Sequence, residues 1–418
     1  MSESAVSGAR IPRRRRGARA LATGMVAGIA LAVTGPAVRA GERLGFGPFG
    51  LVLGGEGTFS IAPKDWGYFN EIEYQRNALR LARLALQAEL RVGTHVAALT
   101  EIRSDNLDPP RAYGLYLRLR PWTGRSFDVQ AGLVPTVFGG FTRRPYGGGN
   151  SLVGYPLAYQ YLTTLRADAV PGSADELALW RGQGWLVYYP IGSAEPASGM
   201  PLVNTQRWDT GAQVRVGSDP IEVAASLTQG TLSSPRRGRD DNGGKQVAIR
   251  AAWRPVTGLV IGASGSGGEY LARSVRETLP PSEAQRRYRQ WAGGLDAEYS
   301  RGHWLARAEA VASAWDMPRL GTPPVPSPLK ALGIMGEGRY RPAPGWTLAA
   351  RVDYLGFGRI ETSQGRVSWD APLTRVEGAV SYSPLRQATV KAAYQHNWRD
   401  GGRVRSKGLV VGQLVLWF

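Results

Sequence analysis

The groups in this chain best suited to chemistry are its arginines. Arg118 and Arg120 stand two apart in a segment that alternates apolar with polar residues. Arg143, Arg144, Arg166, Arg181, Arg207 and Arg215 lie in or beside a stretch, 136–206, where that alternation breaks. A guanidinium stays charged at physiological pH and holds a phosphate or carboxylate through two parallel N–H···O bonds. Arginines gathered along a water-filled passage would therefore favour anions. The chain has 51 Lys+Arg against 33 Asp+Glu, a formal net charge of +18, but few lysines (Lys64, Lys245, Lys330, Lys391 and Lys407). An anion site here has to be built from arginine.

Other chemistries fit less well. With 0 Cys there are no disulfides, cysteine-held metals or thiol nucleophiles. The histidines His95, His303 and His396 are far apart in sequence, and neither a Gly-x-Ser-x-Gly elbow nor a His-x-x-x-His pair occurs. Ser264 and Ser266 sit in a glycine-rich run, 262–268, that lacks the helix and lysine a phosphate loop needs. No catalytic residue, metal or cofactor is assigned. An outer-membrane hydrolase stays as a minor alternative, since a Ser/His/acid set could still assemble in space.

The elements that must position the arginines are strands. Residues 1–40 read as a cleaved secretory signal peptide: Arg10, Arg13–Arg16 and Arg19, then an apolar run from Ala20 to Thr34, then Gly35-Pro36 and a cut before Gly41. The apolar run is short for a membrane helix, which needs about 20 residues. Beyond it the chain alternates at period two. Tyr113, Leu115, Leu117 and Leu119 oppose Gly114, Tyr116, Arg118 and Arg120. Trp208, Thr210, Ala212, Val214 and Val216 oppose Arg207, Asp209, Gln213 and Arg215. Trp346, Leu348, Ala350, Val352 and Tyr354 oppose Thr347, Ala349, Arg351 and Asp353. Aromatics at the ends of apolar faces suit a lipid-facing band with interfacial girdles. Short links such as 217–220, 255–258 and 342–345 alternate with long polar ones such as 231–243 and 268–287. Sorting of this kind predicts an up-and-down antiparallel β-barrel that spans a membrane.

Strands are expected at 49–61, 78–91, 94–103, 112–121, 126–135, 207–217, 220–230, 245–254, 258–267, 289–300, 302–313, 330–341, 346–356, 373–383, 387–398 and 406–418. That gives 16 in an all-β single domain, 41–418. Two further strands at Tyr155–Leu165 and Gln183–Tyr189 would make 18. On the 16-strand reading, 136–206 follows the fifth strand as a long inserted loop that folds toward the lumen and narrows it. It holds two helix-like pieces, Pro156–Arg166 and the run after the Ser173–Glu176 capping box. Facing charges should pair across neighbouring strands, for example within Arg307/Glu309, Glu337/Arg339, Arg351/Asp353 and Arg375/Glu377.

Leu414, Leu416 and the terminal Phe418 share one face of the last segment. Here the chain resembles bacterial outer-membrane β-barrel proteins, in which such an end is read by the barrel insertion machinery. The runs Leu117-Arg118-Leu119-Arg120-Pro121, Phe127–Gly132 and Pro135–Gly139 resemble the approach to the constriction loop of phosphate-selective porins. That resemblance implies a 16-strand barrel with a basic lumen that passes anions. The expectation is a porin of the outer membrane giving passive diffusion of small polar solutes with a mild anion preference. Its partners are outer-membrane lipid and small anionic or polar solutes, with a homotrimer compatible and no nucleic acid. A non-conducting structural or adhesive barrel is the main alternative.

Overall fold

The computed structural model describes residues 43–46, 49–72, 76–122, 124, 126–144 and 147–418, excepting the side chains of 43–46 and 143. The signal peptide expected at 1–40 lies outside the described residues. The wall consists of β1 Phe49–Ile61, β2 Ala82–Val92, β3 Val96–Asp105, β4 Arg111–Leu119, β5 Ser126–Val134, β6 Asp209–Ser218, β7 Ile221–Thr228 and β8 Gln246–Trp253. It continues through β9 Leu259–Glu269, β10 Arg289–Arg301, β11 Trp304–Trp315, β12 Leu329–Tyr340, β13 Trp346–Phe357, β14 Leu373–Leu385, β15 Ala388–Arg399 and β16 Ser406–Trp417. Each pairs antiparallel with the next. β1 closes the ring on β16 from Glu56↔Trp417 to Ile61↔Gly412. The result is a closed barrel of 16 strands. Beside the end of β16, the short strand Arg43–Phe46 pairs with Phe49–Val52 and extends the same edge.

Alternation sets the two faces. Along β13, Leu348, Val352 and Tyr354 point outward and are exposed, whereas Arg351 and Asp353 between them are buried. Outward aromatics ring the short-turn end, where Trp304 stacks on Tyr340 with centroids 4.3 Å apart and Trp346 lies 4.8 Å from Tyr382. Trp291, Tyr394 and Trp398 face outward nearer the long loops. These are the girdles of a lipid-facing band. Phe418 bonds through both its N–H and its C=O to Gly55 at 3.2 Å. A side chain at Gly55 would meet the Phe418 ring at 2.6 Å, so glycine makes room for the terminal aromatic.

Four expectations are corrected. Tyr155–Leu165 and Gln183–Tyr189 are not wall strands, so the count is 16 and not 18. Every residue from 151 to 167 is buried, and a strand between lipid and lumen would expose alternate side chains. Within this run only Leu157–Gln160 is helical, much shorter than Pro156–Arg166. Tyr113 does not share the outward face of Leu115, because a β-bulge opposite Glu101/Ile102 turns its ring inward beneath Arg103. Trp208 precedes β6 and packs inward against Tyr113 and Tyr116, over a glycine, Gly114, that has no side chain to obstruct it.

The two faces should answer differently to charge. Val352→Arg, outward at mid-strand, is expected to cost about 2–4 kcal/mol. Gln87→Arg, exposed on the inner face, should stay within about 0.5 kcal/mol. Urea unfolding from lipid vesicles measures both.

Candidate functional site

Inward charges form a row across neighbouring strands. Register sets Glu298 opposite Arg307, Arg307 opposite Glu337, Glu337 opposite Arg351, and Arg351 opposite Glu377. Arg307 bonds Glu298 at 2.8 Å and Glu337 at 2.9 Å. Arg351 lies 3.6 Å from Glu337, 3.0 Å from Asp353 and 3.1 Å from Glu377. Of the four sets read from sequence, only Arg351/Asp353 forms as an ion pair. Arg375 instead donates to Asn397, Gln160 and the carbonyls of Tyr155 and Phe69.

Three inner carboxylates, Glu309, Glu377 and Glu56, hold the segment 136–206 through its backbone. Glu309 accepts the Gly140 and Phe141 amides at 3.0 and 3.2 Å, together with the Tyr159 hydroxyl. Glu377 accepts those of Val153 and Gly154 at 3.0 and 2.8 Å. Glu56 accepts those of Gly147 and Gly148 at 2.8 and 3.0 Å. The Lys391 ammonium donates to the carbonyls of Gly147, Asn150 and Leu152. Farther along, Asp370 accepts from Thr164 and Gly182 at 3.0 and 2.8 Å. The expected cap is present: Ser173 accepts from Glu176 at the start of the helix Ala174–Leu179.

The segment thus leans on the wall from β10 round through β16 to β1. A cavity of about 450 Å³ remains on the other side, between Pro135, Thr136 and Thr142 and the wall residues Gln87, Glu89, Glu101, Tyr116 and Arg215.

No protein-family model matches the chain, and no curated protein does. Solved structures do. The chain is similar to the outer-membrane protein OmpT of Vibrio cholerae, with 12% identity, 90% of this chain and 100% of that one covered, and a TM-score of 0.53. It is similar to an anion-selective porin from Comamonas acidovorans (9%, 88% and 100% covered, TM-score 0.54). It is also similar to the outer-membrane channel DcaP of Acinetobacter baumannii (10%, 91% and 100%, TM-score 0.52). The chain has the fold of the bacterial outer-membrane porins. With the apolar band around its outside, a barrel of this fold is built to span a membrane.

Within the porin barrel the sequence-derived arginines do not form one site. Arg118 bonds Glu89 at 2.5 Å, and Arg215 lines the cavity beside them. Arg120 is exposed at the short-turn end, where its carbonyl bonds His95. Arg144 bonds Glu298 at 2.5 Å and so joins the charged row; burial first, and then the Arg307 guanidinium, push its pKa down. Arg166 is fully buried, bonded to Asp168 and to the Val187 carbonyl, and reaches no passage. Arg181 lies among the long loops on Ser368 and the Asp400 carbonyl. Arg207 is half-buried ahead of β6, and the side chain of Arg143 lies outside the described residues. Arg307, beside Arg144, and Arg339 and Arg341, which adjoin Arg307, were not offered as anion-site candidates. Their inward parity was readable, but their proximity to one another requires the register.

The anchoring predicts two outcomes. Glu377→Ala should strip two amides and leave Arg351 short of a buried partner, costing about 3–5 kcal/mol and speeding hydrogen exchange at Val153 and Gly154. The loop residue Asp370 is pushed up by burial to about 6. The folded chain therefore keeps a proton that an ordinary aspartate loses near pH 4. Its stabilisation is full below that pH and fades as pH rises through 6, by about 3 kcal/mol in all. In Asp370→Asn this part of the pH dependence of the urea midpoint should vanish.

Proposed function

We propose that the chain is an outer-membrane porin through which small polar solutes diffuse passively, with a mild preference for anions. The observation that carries the reading is the cavity left between the anchored segment and the wall, into which Gln87, Glu89, Glu101 and Arg215 bring polar groups. Rings of side chains and the width between them set selectivity in pores. Four arginines, Arg144, Arg307, Arg339 and Arg341, gather toward the short-turn end around two carboxylates, Glu298 and Glu337. Among the described residues Arg339 has no hydrogen-bond partner for its Nε. One of the structurally similar proteins is an anion-selective porin, which supports the sign.

The same reading includes a homotrimer, as in the trimer form of a similar Vibrio cholerae protein, and membrane insertion through the strand ending in Phe418. Non-catalytic transport is the role proposed. A second reading, a non-conducting structural barrel, is favoured by the apolar core that the segment builds inside the long-loop half, with Phe138, Tyr159, Leu165, Leu202 and Trp315 fully buried.

Planar-bilayer recordings in a salt gradient separate the two. The porin reading expects stable conductance and a reversal potential of the anion sign. Arg339→Glu with Arg341→Glu should shift that potential toward cations while conductance persists. Absence of conductance favours the structural barrel, and a cation preference in the unaltered protein rejects the anion claim.

A further inference from the structure

A trench runs along the outer wall, far from the lumen. The outward side chains of β11 are alanine at 306, 308, 310, 312 and 314, and in the long-loop half the flanking strands carry bulk at Trp291, Leu295, Leu332 and Ile334. Register makes the rows explicit. Trp291, Ala314 and Lys330 lie side by side, then Gly293, Ala312, Leu332 and Gly356, then Leu295, Ala310, Ile334 and Tyr354. Near the long-loop end the trench is an open groove of about 650 Å³ flanked by Trp291 on one side and Leu332 and Tyr354 on the other.

Its mouth carries two cations, with one carboxylate, Asp316, accepting the Arg289 backbone N–H at 3.3 Å. Lys330 is exposed beside the trench at the start of β12, with no carboxylate partner among the described residues. Arg289, the first residue of β10, carries its guanidinium 5.8 Å above the Trp291 ring. Both cations sit at the height of the outward aromatics, where lipid headgroups begin. Cations at that level attract phosphorylated headgroups.

We propose that this trench binds a phosphorylated lipid of the outer leaflet, with an acyl chain along the alanine floor and its phosphate met by Lys330 and Arg289. A second copy of the chain is the competing occupant, and charge speaks against it. Among the described residues, the outward faces of the wall strands present no exposed carboxylate to neutralise Lys330. The site rests on the barrel and its outer face, and holds whether or not the lumen conducts.

The test is native mass spectrometry of the full-length barrel mixed in detergent with lipid A, with phosphatidylcholine, or with inorganic phosphate. Lipid A is expected to stay bound, and the other two to be lost. Lys330→Glu with Arg289→Glu should weaken lipid A about thirtyfold, the loss of two headgroup contacts. Ala312→Trp, which fills the trench and leaves both cations, should weaken it as well. Heat-modifiable gel mobility establishes that each variant is folded, and Lys330→Gln serves if the double charge reversal is not. Equal retention of lipid A by the charge variant or by Ala312→Trp overturns the site. So does an oligomer that Ala312→Trp disperses without changing its lipid content.

Discussion

Hydrocarbon offers no partner to a backbone N–H or C=O, and the wall of this barrel follows from that constraint. Each strand pairs with its neighbours, and the ring closes where Ile61 meets Gly412 and Glu56 meets Trp417. Once the backbone is committed to one closed sheet, side chains can only alternate. Charged residues within the band must point inward, which crowds Glu298, Arg307, Glu337, Arg351 and Glu377 into one lateral row. Crowding at that density is tolerable because signs alternate and because a guanidinium can serve two or three carboxylates in a fixed fork. Arg351 does so for Glu337, Asp353 and Glu377.

The same constraint governs the inserted segment. It forms little regular structure of its own, yet much of it is buried, so its amides and carbonyls need partners from elsewhere. The wall provides them in a repeated form: one carboxylate for two consecutive amides, at Gly140/Phe141, Gly147/Gly148 and Val153/Gly154. Lys391 does the converse for three carbonyls. Charge-assisted bonds of this type outweigh neutral ones. They also explain why Glu309 is not available to Arg307. Its two oxygens already answer to Gly140, Phe141 and Tyr159.

Much of the wall was legible in the sequence, because alternation and turn residues are local signals. The 16 strands and their closure follow from it. The inward turn of Tyr113 was not legible, since a bulge adds one residue to one strand and nothing in 112–114 announces it. Pairing of the inward charges across neighbouring strands was legible, but the partner each arginine takes was not. Lateral neighbours come within about 5 Å, and Arg307 reaches across to Glu298 and Glu337 while Glu309 is taken up by the inserted segment. Buried Arg166 shows the opposite error. A basic residue in an inserted loop looked solute-facing, but Asp168 and the Val187 carbonyl use its donors within the segment itself.

The anchoring bears on where any preference among solutes must originate. A segment fastened at Glu56, Glu309 and Glu377 moves only if several buried charge-assisted bonds break together, so the charges facing the passage keep fixed positions. Their distribution is graded. In the middle of the row Arg351 is surrounded by three carboxylates, and the local balance is acidic or neutral. Toward the short turns, Arg144 and Arg307 already occupy Glu298, and Arg339, with Arg341 beside it, adds positive charge. Surplus positive charge thus accumulates at one mouth of the lumen. Low-dielectric walls concentrate such a field, and salt screens it over about 10 Å at 0.1 M. A preference arising there should act on an ion entering at that mouth more than on its passage past the segment.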